Sequence, residues 1–78
     1  MVDKAEQQLL DLGFHQVRVR MHGMMARIEV APEEIARLTE PSLRTKVTEE
    51  FKEFGFSYVS VDLQGYRTGS MNEGLFNS

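Results

Sequence analysis

Arg18, Arg20 and Arg27 are the residues whose type and spacing point most directly to chemistry, and that chemistry is anion recognition. Arginine's planar fork suits bidentate contacts to phosphate, sulfate or carboxylate. Arg18 and Arg20 lie two apart in an alternating segment, so as strand residues they leave the same face about 7 Å from one another. In a hairpin turning at His22-Gly23, Arg27 lies directly across from Arg18. Like charges placed opposite each other in a hairpin are destabilising, so something negative is needed there. Glu29, one diagonal step from Arg18, can supply it within a solvated face, and a bound anion can supply it equally.

A second candidate is Gly65-Tyr66-Arg67-Thr68-Gly69-Ser70, where two glycines, two hydroxyls and an arginine share six positions. Such backbones can turn amides toward an anion, although most stretches of this composition are only turns, and no P-loop pattern is present. His15 and His22 fall at opposite ends of one strand and the sequence has no cysteine, so no metal set is formed. Met21 and Met24 are read as packing residues and Met25 as facing the arginines, placed to touch a ligand or another subunit. No Ser/His/Asp order and no acid/base pair of carboxylates can be assigned.

The elements that must hold these residues follow from periodicity. Asp3, with Glu6 three residues on, precedes apolar Ala5, Leu9, Leu10 and Leu12, which predicts a helix start related to a capping box, with Gly13 as its stop. From Gln16 the period becomes two: Val17, Val19 and Met21, then Ala26, Ile28 and Val30, alternate with polar residues. A two-residue turn at His22-Gly23 pairs Met21 with Met24, Val19 with Ala26 and Val17 with Ile28, which puts the apolar residues on one face. Pro32 opens a short helix and Pro41 interrupts it. Ser42 can cap the next helix, whose Leu43, Val47, Phe51 and Phe54 form a stripe ended by Gly55. Val59, Val61 and Leu63, alternating with Tyr58, Ser60 and Asp62, make a third strand. The expected architecture is α+β in the order α-β-β-α-β: a small open sheet of three strands with helices on one face. Residues 1–64 form the compact domain and 65–78 a Gly/Ser-containing loop with a mobile tail.

A chain of 78 residues makes one small domain that buries only ~60% of its unfolded surface. The net charge of −3 opposes sequence-independent nucleic-acid binding, which needs a basic surface. A KH-like RNA binder shares the element order, but the chain lacks the Gly-x-x-Gly clamp and has no aromatic ladder beyond Tyr58. No apolar run is long enough to span a membrane and no signal-peptide pattern is present, so a cytoplasmic location is expected.

The series Ala5-Glu6, Leu12-Gly13-Phe14, Val17-Arg18-Val19-Arg20, Ala26-Arg27-Ile28-Glu29-Val30, Gly55-Phe56 and Asp62-Leu63-Gln64-Gly65-Tyr66-Arg67-Thr68-Gly69-Ser70-Met71-Asn72-Glu73 covers nearly the whole chain. It resembles the carboxy-terminal domain of the ATP-dependent sacrificial sulfur transferases of the PP-loop pyrophosphatase superfamily, which serve nickel-pincer cofactor synthesis. The resemblance implies a separate amino-terminal PP-loop domain that uses ATP and magnesium to adenylylate a substrate carboxylate, followed by sulfur transfer from a cysteine. The Ser-Gly-Gly-x-Asp-Ser loop and the cysteine are both missing from this sequence, so the chain is expected to be either an excised domain or a stand-alone relative. By the same resemblance Arg18, Arg20 and Arg67 bind a phosphate-like anion of a small-molecule substrate, Glu6 and Glu29 flank that site, and the intact protein forms homo-oligomers. A stand-alone, non-enzymatic binding or assembly module using the arginine-rich sheet face is the alternative.

Overall fold

The computed structural model describes residues 1–67. Helix α1 (Val2–Asp11) is followed by strands β1 (Val17–His22) and β2 (Met25–Val30), then a 3-10 turn (Pro32–Glu34), short α2 (Ile35–Leu38), α3 (Pro41–Glu53) and β3 (Tyr58–Val61). The sheet is open and mixed, in the order β1-β2-β3, with β1 antiparallel and β3 parallel to the central β2. The expected α+β order is therefore observed.

Both long helices stop in the same way. The Gly13 N–H bonds Leu10 O and the Phe14 N–H reaches back to Leu9 O; the Gly55 N–H bonds Lys52 O and the Phe56 N–H reaches Phe51 O. Each is a Schellman closure, which satisfies two orphan carbonyls and brings the residue after glycine onto the helix's last buried residue. Phe14 and Leu9, like Phe56 and Phe51, are accordingly buried together. The rings of Phe51 and Phe56 lie 5.8 Å apart. These ends aim both helices at one core, built from Ala5 and Leu9 of α1, Val47 and Phe51 of α3, and Val19, Ala26, Ile28 and Val30 of the sheet. Arg37 fastens the α1–β1 loop by stacking 4.0 Å over the Phe14 ring and donating to Leu12 O.

Three local expectations are corrected. The hairpin turns at Gly23-Met24, not His22-Gly23, so the pairs are His22–Met25, Met21–Ala26, Arg20–Arg27, Val19–Ile28, Arg18–Glu29 and Val17–Val30. Gly23 has φ +58 and no non-glycine among the described residues, Met24 included, has positive φ, which suits a II′-type turn with glycine first. Met21 and Met24 are not packed: they are 47% and 49% exposed, because Met24 occupies the turn itself and Met21 stands close beside it. Neither Asp3 nor Ser42 caps a helix. Helix α1 begins at Val2 and α3 at Pro41, with no side-chain cap bond at either start.

No helix among the described residues is long and apolar enough to cross a membrane.

Candidate anion-binding face

Alternation that buries Val19, Ala26 and Ile28 turns Arg18, Arg20, His22, Met25, Arg27 and Glu29 to the opposite face. Cross-strand pairing arranges them in rows: His22, Met25 and Tyr58 make one, and Arg20, Arg27 and Ser60 the next. Arg18 and Glu29 begin a third, completed by Asp62, whose N–H continues the β2–β3 ladder to Ile28 O. Strands lie about 4.8 Å apart, so each row is a line of side chains in mutual reach.

Glu29 is the centre of this face. It is only 8% exposed, and its Oε2 lies 3.2 Å from an Arg27 guanidinium nitrogen and 3.6 Å from Arg20 Nε. A carboxylate this buried is tolerated because two cations hold it. Arg27 also approaches Asp62 Oδ2 at 4.0 Å, and its buried Nε has no hydrogen-bond acceptor among the described residues. The other Asp62 oxygen accepts the Gln64 N–H at 2.9 Å. Three arginines therefore meet two carboxylates, and both carboxylates are engaged by Arg20 and Arg27. Arg18 stands directly across from Glu29, is exposed, and has no hydrogen bond or ion pair among the described residues. The like-charge pair across the hairpin is Arg20 with Arg27 rather than Arg18 with Arg27, and Glu29 relieves it. Arg18 is the arginine of this face that no described carboxylate engages.

The remaining predicted residues take separate places. Glu6 reaches from α1 to the outer edge of β1, where its carboxylate accepts the Val19 N–H at 2.8 Å; it closes a backbone edge and does not join the charge cluster. Gly65 is packed: a Cβ there would stand 2.5 Å from Val30 O, and its φ is +81. With the Tyr66 N–H donating to Val30 O, this clamps the chain after β3 onto the end of β2, beside the Arg18–Glu29 pair. Glycine here serves close approach of two backbones. Arg67 follows directly and bonds the Gln64 side chain. Its backbone is brought to the end of β2 where Arg18 lies. Thr68, Gly69 and Ser70 of the loop motif, and the tail expected to be mobile, lie outside the described residues.

Sequence reasoning missed Asp62 as a partner of Arg27. The signal was present in part, since Asp62 alternates with Val61 on the polar side, but its neighbour depends on which strand β3 joins.

No family model matches the chain. The uncharacterized protein slr1717 of Synechocystis sp. is 42% identical over 74 residues, covering 95% of this chain and 28% of that protein. Pyridinium-3,5-bisthiocarboxylic acid mononucleotide synthase of Lactiplantibacillus plantarum is 41% identical over 71 residues, covering 91% of this chain and 25% of the synthase. The chain is similar to part of a larger protein. It spans about a quarter of the length of these curated relatives.

Proposed function

We propose that this chain is the substrate-anion-binding and oligomerisation domain, carboxy-terminal in position, of a PP-loop ATP-dependent sulfur transferase in nickel-pincer cofactor biosynthesis. The single observation that carries the anion half is Arg18: an exposed arginine without a partner among the described residues, beside a carboxylate already taken by Arg20 and Arg27. Similarity to a synthase whose product is named a mononucleotide supports phosphate as the anion, and the product's thiocarboxylic acid groups support sulfur chemistry for the whole protein.

The division of labour follows from what the residues can do. Arg18 supplies the fork for a phosphate, while Arg20 and Arg27 hold Glu29, whose charge competes with the ligand for Arg20. Arg67 contributes from the segment clamped by Gly65. The chain's own residues do not fit ATP and magnesium: the sequence has no Ser-Gly-Gly-x-Asp-Ser loop, and no three His, Asp or Glu side chains among the described residues group to hold a metal ion. With no cysteine it cannot donate a cysteine sulfur. Those functions fall to a PP-loop domain elsewhere in the intact protein.

Two measurements test the reading. Phosphate titrated into the chain should shift the amide resonances of Arg18, Arg20 and their neighbours, and Arg18→Ala should abolish the shift. In a full-length sulfur transferase carrying this domain, replacing Arg18, Arg20 and Arg67 together by Ala should leave the fold intact and abolish transfer. Undiminished transfer by that triple variant refutes the proposal.

A further inference from the structure

The two edges of the sheet are finished differently. On β1 the outward Val19 N–H is taken by Glu6, and the strand carries two arginines. Charges and covered donors are the usual means by which an edge strand avoids pairing. On β3 none of these is present: Tyr58-Val59-Ser60-Val61 holds no charge and no proline, and no described strand lies beyond it. The amides of Tyr58 and Asp62 point to β2, donating to Met24 O and Ile28 O. By the alternation of a parallel pair, the N–H and C=O groups of Val59 and Val61 point the other way, to the open edge.

An apolar groove of about 180 Å³ adjoins that edge, lined by Leu38, Arg44, Val47, Thr48, Val59 and Val61 among others. Neither α1 nor β1 contributes to it, so it lies on the β3 half of the helix-covered face. Tyr58 and Leu63, 71% and 82% exposed, flank the strand.

We infer that β3 is a self-pairing edge: two copies of this chain join antiparallel through it, about a two-fold axis at Ser60, into one continuous six-stranded sheet. In that register Val59 of one copy exchanges both backbone bonds with Val61 of the other, and Ser60 faces Ser60. Tyr58 of each copy faces Asp62 of the other, so a hydroxyl meets a carboxylate and no like charges are opposed. Valines stay on the apolar side, next to the groove, and polar residues stay on the arginine side. Registers shifted by two are poorer. One calls on Leu63, inside the turn closed by the Gly65 N–H on Asp62 O, and the other calls on Ser57, whose N–H is already given to Met24 O. The pairing would set two arginine faces side by side on one surface.

This inference rests on the oligomerisation half of the proposed function and is independent of the anion half, which the phosphate titration reads separately. Since the sequence has no cysteine, a single Ser60→Cys substitution makes a register-specific probe. Directly opposed residues of a non-hydrogen-bonded antiparallel pair have Cα atoms about 4.5 Å apart. That lies inside the disulfide window of roughly 4.4–6.8 Å. Under mild oxidation Ser60→Cys should form disulfide-linked dimers at least ~10-fold faster than Ser42→Cys, an exposed control on α3, because pairing raises the local thiol concentration. Val61→Pro removes an outward N–H without touching the bonds to β2, a change an edge strand tolerates. By sedimentation equilibrium the unaltered 78-residue chain should be a dimer and Val61→Pro a monomer of unchanged circular dichroism. A monomeric unaltered chain overturns the proposal, as does cross-linking of Ser60→Cys no faster than the control. A dimer that persists in Val61→Pro also overturns this edge, while leaving oligomerisation through another surface standing.

Discussion

The two faces of this sheet are made from alternate residues of the same three strands, yet they do different work. On the covered face the buried cluster is apolar, both long helices end in a glycine followed by a core phenylalanine, and burial supplies the stability. On the open face Arg20, Arg27, Glu29 and Asp62 hold one another in a charge arrangement, and the exposed Arg18 beside it is left without a partner among the described residues. The difference teaches that order and stability are separable within one layer. The covered face determines that the strands exist, and the open face uses their spacing to place charges.

Substitutions should break this contrast in a graded way. Phe51→Ala empties the centre of the covered face, where Phe51 is fully buried between Phe54 and Phe56, and should cost about 3–5 kcal/mol in a denaturant titration. For a domain this small that loss is enough to unfold most molecules at room temperature. Gly65→Ala forces a side chain against the Val30 carbonyl at a positive φ and should cost about 1–3 kcal/mol, with loss of amide-exchange protection at Tyr66.

Glu29→Gln probes the open face. Removing the charge between two half-exposed arginines should cost about 1–2 kcal/mol in stability while raising phosphate affinity, because a competing anion has been withdrawn. Weaker phosphate binding in this variant would show that Glu29 orders the site more than it opposes the ligand. Arg18→Ala should change stability by no more than about 0.5 kcal/mol, since the side chain has no described partner to lose, and should nevertheless remove anion binding. If Arg18→Ala proves as destabilising as Glu29→Gln, the two faces are not separable in the way the geometry implies.

Much of the scaffold was legible in the sequence because its signals are local. The 3.6-residue and two-residue periods located the helices and strands, and Gly13 and Gly55 marked the two ends that became Schellman closures. The hairpin register was not legible. The expected and observed pairings differ by a slip of two residues, which leaves every side chain on its own face, so hydrophobic alternation cannot distinguish them. The turn decided, through the positive φ of Gly23. That slip moved Glu29 from a diagonal to a direct partner of Arg18 and put Arg27 opposite Arg20. Glu6 was read first as a capping residue and, through the resemblance, as a flank of the anion site; its observed partner, the Val19 amide, lies on another element. The packing of Gly65 was equally hidden, because glycine in a polar stretch signals a turn as readily as a close backbone contact.

By itself the sequence determined which residues would be apolar and which charged on each strand, where the helices would stop, and that neither a cysteine nor a disulfide could take part. Only the tertiary structure decided that β3 lies parallel to β2, which sets Asp62 beside Arg27 and leaves the uncharged β3 with no strand beyond it among the described residues. The physical reason is range. Periodicity and capping act within a few residues, whereas strand order is settled by how α2 and α3, which connect β2 to β3, pack on the sheet, a balance over the whole core that no short stretch of sequence contains.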